Sequence, residues 1–106
     1  SGGVNIYPQE IDDVLAQHRA VADVACVGVP NEDLGEEIKA VIELRPGFTP
    51  DEALSQSLAD FCVERLSKQK WPRSFDFVAA LPRSEAGKVL RRALRERYWA
   101  GRERQI

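Results

Sequence analysis

Two strand-length apolar runs that lie close together limit most strongly how this chain can fold. Residues 22–29 are almost continuously apolar and are followed by Pro30, and residues 38–44 alternate between apolar and polar side chains. A short continuous apolar run is typical of a buried strand, and alternation is typical of a strand with one face in the core. Because little more than the polar turn at 31–35 separates the two strands, we expect them to pair as an antiparallel hairpin.

Helical patterns precede and follow this hairpin. Residues 8–18 predict a first helix, since Pro8 suits its start and one stripe of its surface carries Ile11, Val14, Leu15 and His18. Thr49 or Asp51 is expected to cap a second helix, whose spacing of apolar positions is helical: Leu54, Leu58, Phe61, Cys62 and Leu66. Residues 74–79 predict a short third strand, and residues 88–98 predict a basic final helix.

The order of these elements predicts an α+β fold, a small open three-stranded, mainly antiparallel sheet with flanking helices. With 106 residues the chain is the size of one domain and supplies one core. Such a core leaves no room to enclose a large ligand. We therefore expect a sizeable substrate to bind on a face of this domain, or between it and another domain.

The sequence also bears on what kind of protein this is. No apolar run reaches the roughly 18 residues of a membrane-spanning helix, so we expect no transmembrane segment. The chain has no signal-like N-terminal segment and no initiator Met, and it opens on Ser1-Gly2-Gly3. We interpret residues 1–106 as a single domain from a longer protein.

The thiol and imidazole side chains favour structural roles. Cys26 and Cys62 lie in apolar runs, which predicts two buried free thiols in a reducing, cytoplasmic setting. Two cysteines and one histidine make no convincing metal site. His18 lies near the end of the first predicted helix, so a helix-terminal or surface position is favoured over catalysis.

Charge is unevenly divided along the chain. Residues 1–60 hold 3 Lys or Arg against 12 Asp or Glu, a net charge of −9, and residues 61–106 hold 12 against 5, a net charge of +7. A basic half is compatible with nucleic acid, with a phosphorylated small molecule, or with a helix face that is only solvated. The charge balance alone does not decide among these.

The loop that ends in Gly87 and Lys88 is the most informative local motif. Glycine frees the backbone, and lysine is a compact charge on a long stem that can reach an anion. At the start of the predicted final helix, the macrodipole disfavours a lysine. A P-loop is excluded, because Val89 stands where Ser or Thr is required. The local pattern leaves Lys88 open between a functional and a solvated side chain.

Two further segments could bind a ligand. Gly2 and Gly3 permit a ligand to approach the backbone closely, although paired glycines are equally typical of a flexible chain end. Lys70 and Arg73 flank Trp71 and Pro72. Cations before a proline are also typical of a helix terminus whose last carbonyls they satisfy.

Three separated segments, in the right order, carry a family resemblance. SGGVNIYP with EI and VL at 1–15, V-VP-GE-KA at 27–40, and K-PR-F-F-LPRS with GKVLRR and LR at 70–95 resemble the C-terminal domain of the adenylate-forming superfamily. That superfamily contains acyl-CoA synthetases, peptide-synthetase adenylation domains and luciferases. The resemblance covers nearly the whole chain.

The resemblance implies specific roles. Lys88, supported by Gly87, would be the lysine that assists adenylation of a carboxylic acid by ATP. After the domain rotates, Gly2 and Gly3 would line the CoA channel, and Lys70 and Arg73 would lie near CoA phosphates. The partner would be an N-terminal AMP-binding domain that holds ATP and the expected Mg²⁺. The pattern around Lys88 also resembles a site for lysine acetyltransferases, which would remove its charge.

Within the superfamily, the residues favour an acyl-CoA synthetase acting on a fatty or other carboxylic acid. Asn5-Ile6-Tyr7-Pro8 resembles these enzymes, and Leu90 stands where peptide-synthetase domains tend to carry Asp. An acyl-AMP ligase or a peptide-synthetase-type domain remains the alternative. A stand-alone basic module that binds nucleic acid is disfavoured by the net charge of −2 and by the matched loop, so no nucleic-acid partner is expected.

Overall fold

The hairpin is the centre of the fold. The structure, a computed structural model, describes residues 6–101. Strands β1 (Val21–Asn31) and β2 (Gly35–Leu44) pair antiparallel along their full length, from Val21 opposite Leu44 to Asn31 opposite Gly35. The Asn31 side chain accepts hydrogen bonds from the amides of Asp33 and Leu34, which closes the turn. The predicted hairpin is confirmed, and both strands are longer than their apolar runs.

A third strand makes the sheet mixed. Strand β3 (Ser74–Phe77) pairs parallel with β2, and the strand order is β1-β2-β3. A parallel pair needs a crossover, which helix α2 (Glu52–Arg65) supplies. The predicted open three-stranded sheet is therefore confirmed, and its longer pairing is the antiparallel one.

Helices cover both faces of the sheet. Helix α1 (Pro8–Leu15) and α2 pack on one face, in a core that consists of Ile11, Leu15, Val21, Val24, Cys26, Ala40, Ile42, Leu58 and Cys62. Helix α3 (Arg91–Trp99) packs on the other face, in a core that consists of Ala25, Val27, Val29, Val41, Leu81 and Leu94. Because β1 is covered on both sides, successive residues along it alternate between two cores. That burial explains its nearly continuous apolar sequence.

Several predictions about ends and thiols are resolved. Of the two proposed caps for α2, Asp51 is the one used, since its carboxylate accepts from the Leu54 amide at 2.9 Å. Cys26 and Cys62 are free and buried, as predicted. Burial raises the pKa of Cys62 to about 11 and raises that of Cys26 as well.

The expected position of His18 is wrong. Helix α1 ends at Leu15, and the turn that follows carries the imidazole inward until it is only 9% exposed. Its Nδ1 accepts the Ala20 amide at 3.1 Å, and its Nε2 lies 3.0 Å from Ser57 Oγ. Burial is the main cause that lowers the His18 pKa. Through these two contacts the side chain links the turn to α2.

The start of the final helix is also corrected. Helix α3 begins at Arg91, and Lys88 lies three residues before it. The cause is a hairpin-like pairing in which Val89 bridges Arg83 and the Leu90 amide donates to Pro82 O at 2.8 Å. These main-chain bonds keep residues 88–90 out of the helix. The argument that a helix dipole disfavours Lys88 therefore does not apply.

Side chains cover the outer edge of β1, where no further strand pairs among residues 6–101. The Cys26 amide donates to Asp12 Oδ1 at 2.7 Å, and Arg91 Nη1 donates to Cys26 O at 2.7 Å. Arg91 Nη2 donates to Asp12 Oδ2 at 2.7 Å, and Trp99 donates to Gly28 O at 2.7 Å. This edge is thus closed by α1 and α3, which protects it from pairing with another chain.

Asp12 should be the critical carboxylate of α1. It is 5% exposed and holds both the Cys26 amide and Arg91, so Asp12→Ala leaves a buried donor and a cation without their acceptor. We expect a loss of about 2–3 kcal/mol in the free energy of unfolding, because Arg91 can still reach water. Urea unfolding of this chain measures it.

The neighbouring Asp13 is a matched control, because it is exposed and, within residues 6–101, accepts side-chain hydrogen bonds only from Gln9 and Gln17. Asp13→Ala should change the free energy of unfolding by no more than about 0.5 kcal/mol. Equal losses of unfolding free energy in Asp12→Ala and Asp13→Ala would show that the buried bonds of Asp12 do not stabilise the fold.

Candidate functional site

The Lys88 loop, residues 82–90, is a short hairpin with defined internal hydrogen bonds. Ser84 holds Lys88 from both sides, because the Ser84 amide donates to Lys88 O at 2.8 Å and the Lys88 amide donates to Ser84 Oγ at 3.2 Å. The Gly87 amide donates to Ser84 O at 2.9 Å. The lysine backbone is thus fixed even though the loop is exposed.

Gly87 gives this loop its shape. Its φ is +87°, in the left-handed region that L side chains rarely adopt. A Cβ at this position would meet nothing within 4 Å. Glycine is therefore required here by backbone conformation rather than by space, and the predicted supporting role of Gly87 has a concrete basis.

The Lys88 side chain is exposed at the rim of an open groove of about 460 Å³. The groove runs between β1 and the start of α3, and its lining includes Gln9, Asp12, Asp23, Arg91 and Arg92. Within residues 6–101, the Lys88 ammonium makes no ion pair or hydrogen bond. Chemically it is a positive charge on a fixed backbone, available to an anion that comes from outside this domain.

The loop is attached to the sheet by an ionic cluster. Arg83 Nη1 lies 2.7 Å from Glu43 Oε2, and Arg83 Nη2 also pairs with Asp23. The Leu81 amide donates to the same Glu43 oxygen at 2.6 Å. The hydrogen bond from Arg83 is the main cause that lowers the Glu43 pKa.

Arg73 lies in a different and larger groove, of about 720 Å³, whose lining includes Ile6, Gly28, Ile38 and Trp71. The Arg73 amide donates to Ile38 O at 2.8 Å, which leaves the guanidinium on the exposed side. Gly2 and Gly3 lie outside the described residues. Ile6, the first described residue, lines this groove.

Lys70 is close to Arg73 in sequence but already has a partner. Its ammonium lies 2.9 Å from Glu10 Oε2, at the start of α1. Any ligand anion must therefore compete with Glu10 for Lys70. Of the two cations predicted to bind CoA phosphates, Arg73 is the one that the groove exposes.

The structure thus separates the predicted site residues into two groups. The two grooves share no lining residue, and they meet β1 at Asp23–Ala25 and at Cys26–Gly28 respectively. Lys88 lines the first groove and Arg73 lines the second. Over the part of the chain that is described, no three His, Cys, Asp or Glu side chains cluster as metal ligands would, and no helix is long and apolar enough to cross a bilayer.

Sequence reasoning misses the residues that hold the Lys88 loop in place. Arg83 belongs to the motif that carries the resemblance but has no role assigned to it there, and the sequence alone assigns no site role to Asp12, Asp23, Glu43 or Arg91. One signal was available in the sequence, since Asp23 interrupts an otherwise apolar strand. A charge there predicts a partner from another element.

The fold and the exposed loop lysine define a class of domain found in adenylate-forming enzymes. The chain belongs to the family of AMP-binding enzyme C-terminal domains, whose family model matches residues 10–88. The matched segment ends at the loop lysine itself.

Individual relatives agree with this assignment. The chain is 43% identical over 95 residues to a long-chain-fatty-acid–CoA ligase of Salmonella typhimurium, which covers 89% of this chain and 16% of the relative. It is 38% identical over 104 residues to ScoC, a fatty acid–acyl-carrier-protein ligase of Streptomyces coeruleorubidus, covering 98% and 20%.

A solved structure shows the same fold. The anthranilate CoA ligase AuaEII in complex with anthranoyl-AMP superposes with a TM-score of 0.86 at 37% identity, covering 92% of this chain and 19% of that one. The chain therefore spans about a fifth or less of the length of these relatives.

Gly87→Ala should strain the Lys88 loop. The added methyl group meets no atom, so the expected loss of about 1–2 kcal/mol in the free energy of unfolding comes from the positive φ alone. Where the loop opens to avoid that strain, the Lys88 amide should exchange faster with solvent. Denaturant unfolding and amide hydrogen exchange measure the two effects.

Gly101→Ala is the control, because Gly101 also has open space around it but lacks a positive φ. It should be close to neutral. An unfolding free energy for Gly87→Ala that matches the control would mean that the loop does not need this backbone conformation.

Proposed function

We propose that this chain is the mobile C-terminal domain of an ATP-dependent acyl-CoA synthetase and that Lys88 is its adenylation lysine. The observation that carries the proposal is the placement of Lys88, whose backbone is held by Ser84 while its ammonium is exposed and unpaired within residues 6–101. A compact positive charge on a long side chain can reach a negative charge that forms in a neighbouring active site. This domain alone should be inert, because ATP and the acid would be held by the N-terminal AMP-binding domain.

In the first half-reaction, a carboxylate oxygen of the acid attacks the α-phosphate of ATP. The bond between the α-phosphate and its bridging oxygen breaks, pyrophosphate leaves, and an acyl-adenylate remains. Lys88 would bridge the carboxylate and the nucleotide as negative charge concentrates between them. Its contribution is electrostatic stabilisation and positioning, not proton transfer. Mg²⁺ would be held outside this chain, with ATP, by the N-terminal AMP-binding domain.

In the second half-reaction, the CoA thiolate attacks the acyl carbon and AMP leaves. The separation of the two grooves supports a rotation of this domain between the steps, because one pose can present Lys88 and another the Arg73 groove. Arg73, with Lys70 after exchange from Glu10, would then meet CoA phosphates. Gly2 and Gly3 are proposed to line the pantetheine channel.

A second acceptor is a specific alternative. ScoC, a relative at 38% identity, is a fatty acid–acyl-carrier-protein ligase, so the acyl group of this enzyme could pass to a carrier protein instead of CoA. The phosphopantetheine thiol would be the same nucleophile in both cases. The adenylation role of Lys88 does not depend on which acceptor is used.

Regulation by acetylation is proposed at the same lysine. An exposed lysine on a fixed loop is accessible to a lysine acetyltransferase, and acetylation would remove the charge that adenylation needs.

We propose the cytoplasm as the location, since the free thiols of Cys26 and Cys62 suit a reducing compartment.

The decisive test uses the full-length enzyme that contains this chain, with Lys88→Ala beside the wild type. We expect pyrophosphate release to fall by about 10²-fold or more, the scale of a lost transition-state contact. Transfer from preformed acyl-adenylate to CoA should be retained. Assays of the two half-reactions over a panel of carboxylic acids measure both effects.

Arg65→Ala is the control, since Arg65 is an exposed cation on α2 that lines neither groove. It should leave both half-reactions within about two-fold, as expected for a surface substitution. If Lys88→Ala behaves like this control, Lys88 is only a surface lysine and the proposed function of the loop is wrong.

Arg73 provides a separate test of the second groove. Arg73→Ala should raise KM for CoA by about 10-fold, equivalent to one lost charge-assisted contact, and should leave adenylation unchanged. Lys70→Ala should have the smaller effect, because Lys70 must first leave Glu10. An unchanged KM for CoA in Arg73→Ala would remove this groove from CoA binding.

A further inference from the structure

Two carboxylates face each other under the Lys88 loop. Asp23 on β1 and Glu43 on β2 are register partners in the antiparallel hairpin. Like charges directly opposite one another destabilise a pair of strands. The arrangement is tolerable only when a cation lies between the two side chains.

Arg83 is that cation, and it comes from the loop. Each of its two terminal nitrogens contacts a different carboxylate. Nη1 lies 2.7 Å from Glu43, and Nη2 pairs with Asp23. The fork geometry of a guanidinium suits two acceptors, whereas a lysine offers a single point charge. Because Glu43 also accepts the Leu81 amide at 2.6 Å, one carboxylate holds both the chain that enters the loop and the Arg83 side chain within it.

This attachment is transmitted to Lys88 through the backbone. The main chain of Arg83 pairs with that of Val89, the residue after the lysine. Ser84, which follows Arg83, bonds to both the amide and the carbonyl of Lys88. On the other side, Arg91 ties the start of α3 to Asp12 and Cys26. The loop is therefore anchored at both ends. Loss of the Arg83 side chain would remove the ion pairs with Asp23 and Glu43, and would leave the Leu81 amide on Glu43 and the Arg91 contacts.

We propose that Arg83, through Asp23 and Glu43, is a positioning residue that sets the direction from which Lys88 enters the active site. This inference rests on the proposed function of Lys88. A displacement of about 1 Å at a reacting group can lower a rate by up to about 10²-fold. Because Lys88 is proposed to act in adenylation, loss of the Arg83 contacts should slow that half-reaction alone.

The test measures both half-reactions in the full-length enzyme with Arg83→Gln, Arg83→Lys and Glu43→Gln. We expect kcat for adenylation to fall by about 10-fold in Arg83→Gln with little change in KM, because orientation and not binding is lost. Thioester formation should stay within about two-fold of the wild type. Arg83→Lys should recover part of the rate, since it can still pair with one carboxylate.

A double-mutant cycle identifies the partners. Glu43→Gln keeps the size of the side chain and an acceptor for the Leu81 amide, so it should lower adenylation without unfolding the domain. Adding Arg83→Gln to Glu43→Gln should then lower the rate further by less than about three-fold, because residues in one ionic network are not additive. Arg65→Gln controls for loss of a cation elsewhere.

The outcomes separate this inference from the proposed function. Full adenylation in Arg83→Gln, together with a strong loss in Lys88→Ala, overturns the anchor but leaves the role of Lys88 intact. Equal losses in both half-reactions, accompanied by a lower unfolding temperature, make Arg83 a purely structural residue and also overturn it. Full adenylation in Lys88→Ala means that the proposed function itself has failed.

Discussion

Strand β1 lies between two hydrophobic cores and contacts helices on both faces of the sheet. It is apolar on both faces, yet it lies at an edge of the sheet, so it needs two layers of helix and a cover for its outer backbone groups. Asp12 and Arg91 supply that cover at Cys26, and Trp99 supplies it at Gly28. These contacts fix α1 and α3 relative to one another, although the two helices are at opposite ends of the chain.

The same contacts create the site. Arg91 is the first residue of α3, so the bond that closes the β1 edge also fixes the end of the loop that presents Lys88. On either side of this contact, β1 contributes to the two grooves, with Asp23–Ala25 in one and Cys26–Gly28 in the other. The Lys88 groove and the Arg73 groove are therefore neighbours along one strand.

Much of this fold could be predicted from local pattern. The hairpin, helix α2 with its Asp51 cap, and the burial of both thiols follow from periodicity and residue type over short windows. The direction of β3 and the inward turn of His18 could not, because contacts with distant residues decide them. The start of α3 at Arg91 could not either, because it depends on main-chain pairing of residues 82–83 with 89–90, which periodicity does not show. The role proposed for Lys88 rests on family resemblance, whereas the bonds from Arg83 and Ser84 that place it are visible only in three dimensions.

A domain that acts in two poses must carry its geometry with it. If Lys88 is to reach a neighbouring active site after a rigid-body rotation, its position relative to its own sheet has to be set before docking, since contacts with the partner domain exist in only one pose. Bonds internal to this chain meet that requirement: Ser84 fixes the lysine backbone, and Arg83 ties the loop to both strands of the hairpin. The exposed ammonium is then left to respond to substrate. Such preorganisation lowers the entropy that each docking event must lose, which is the condition for a small lid to contribute to catalysis.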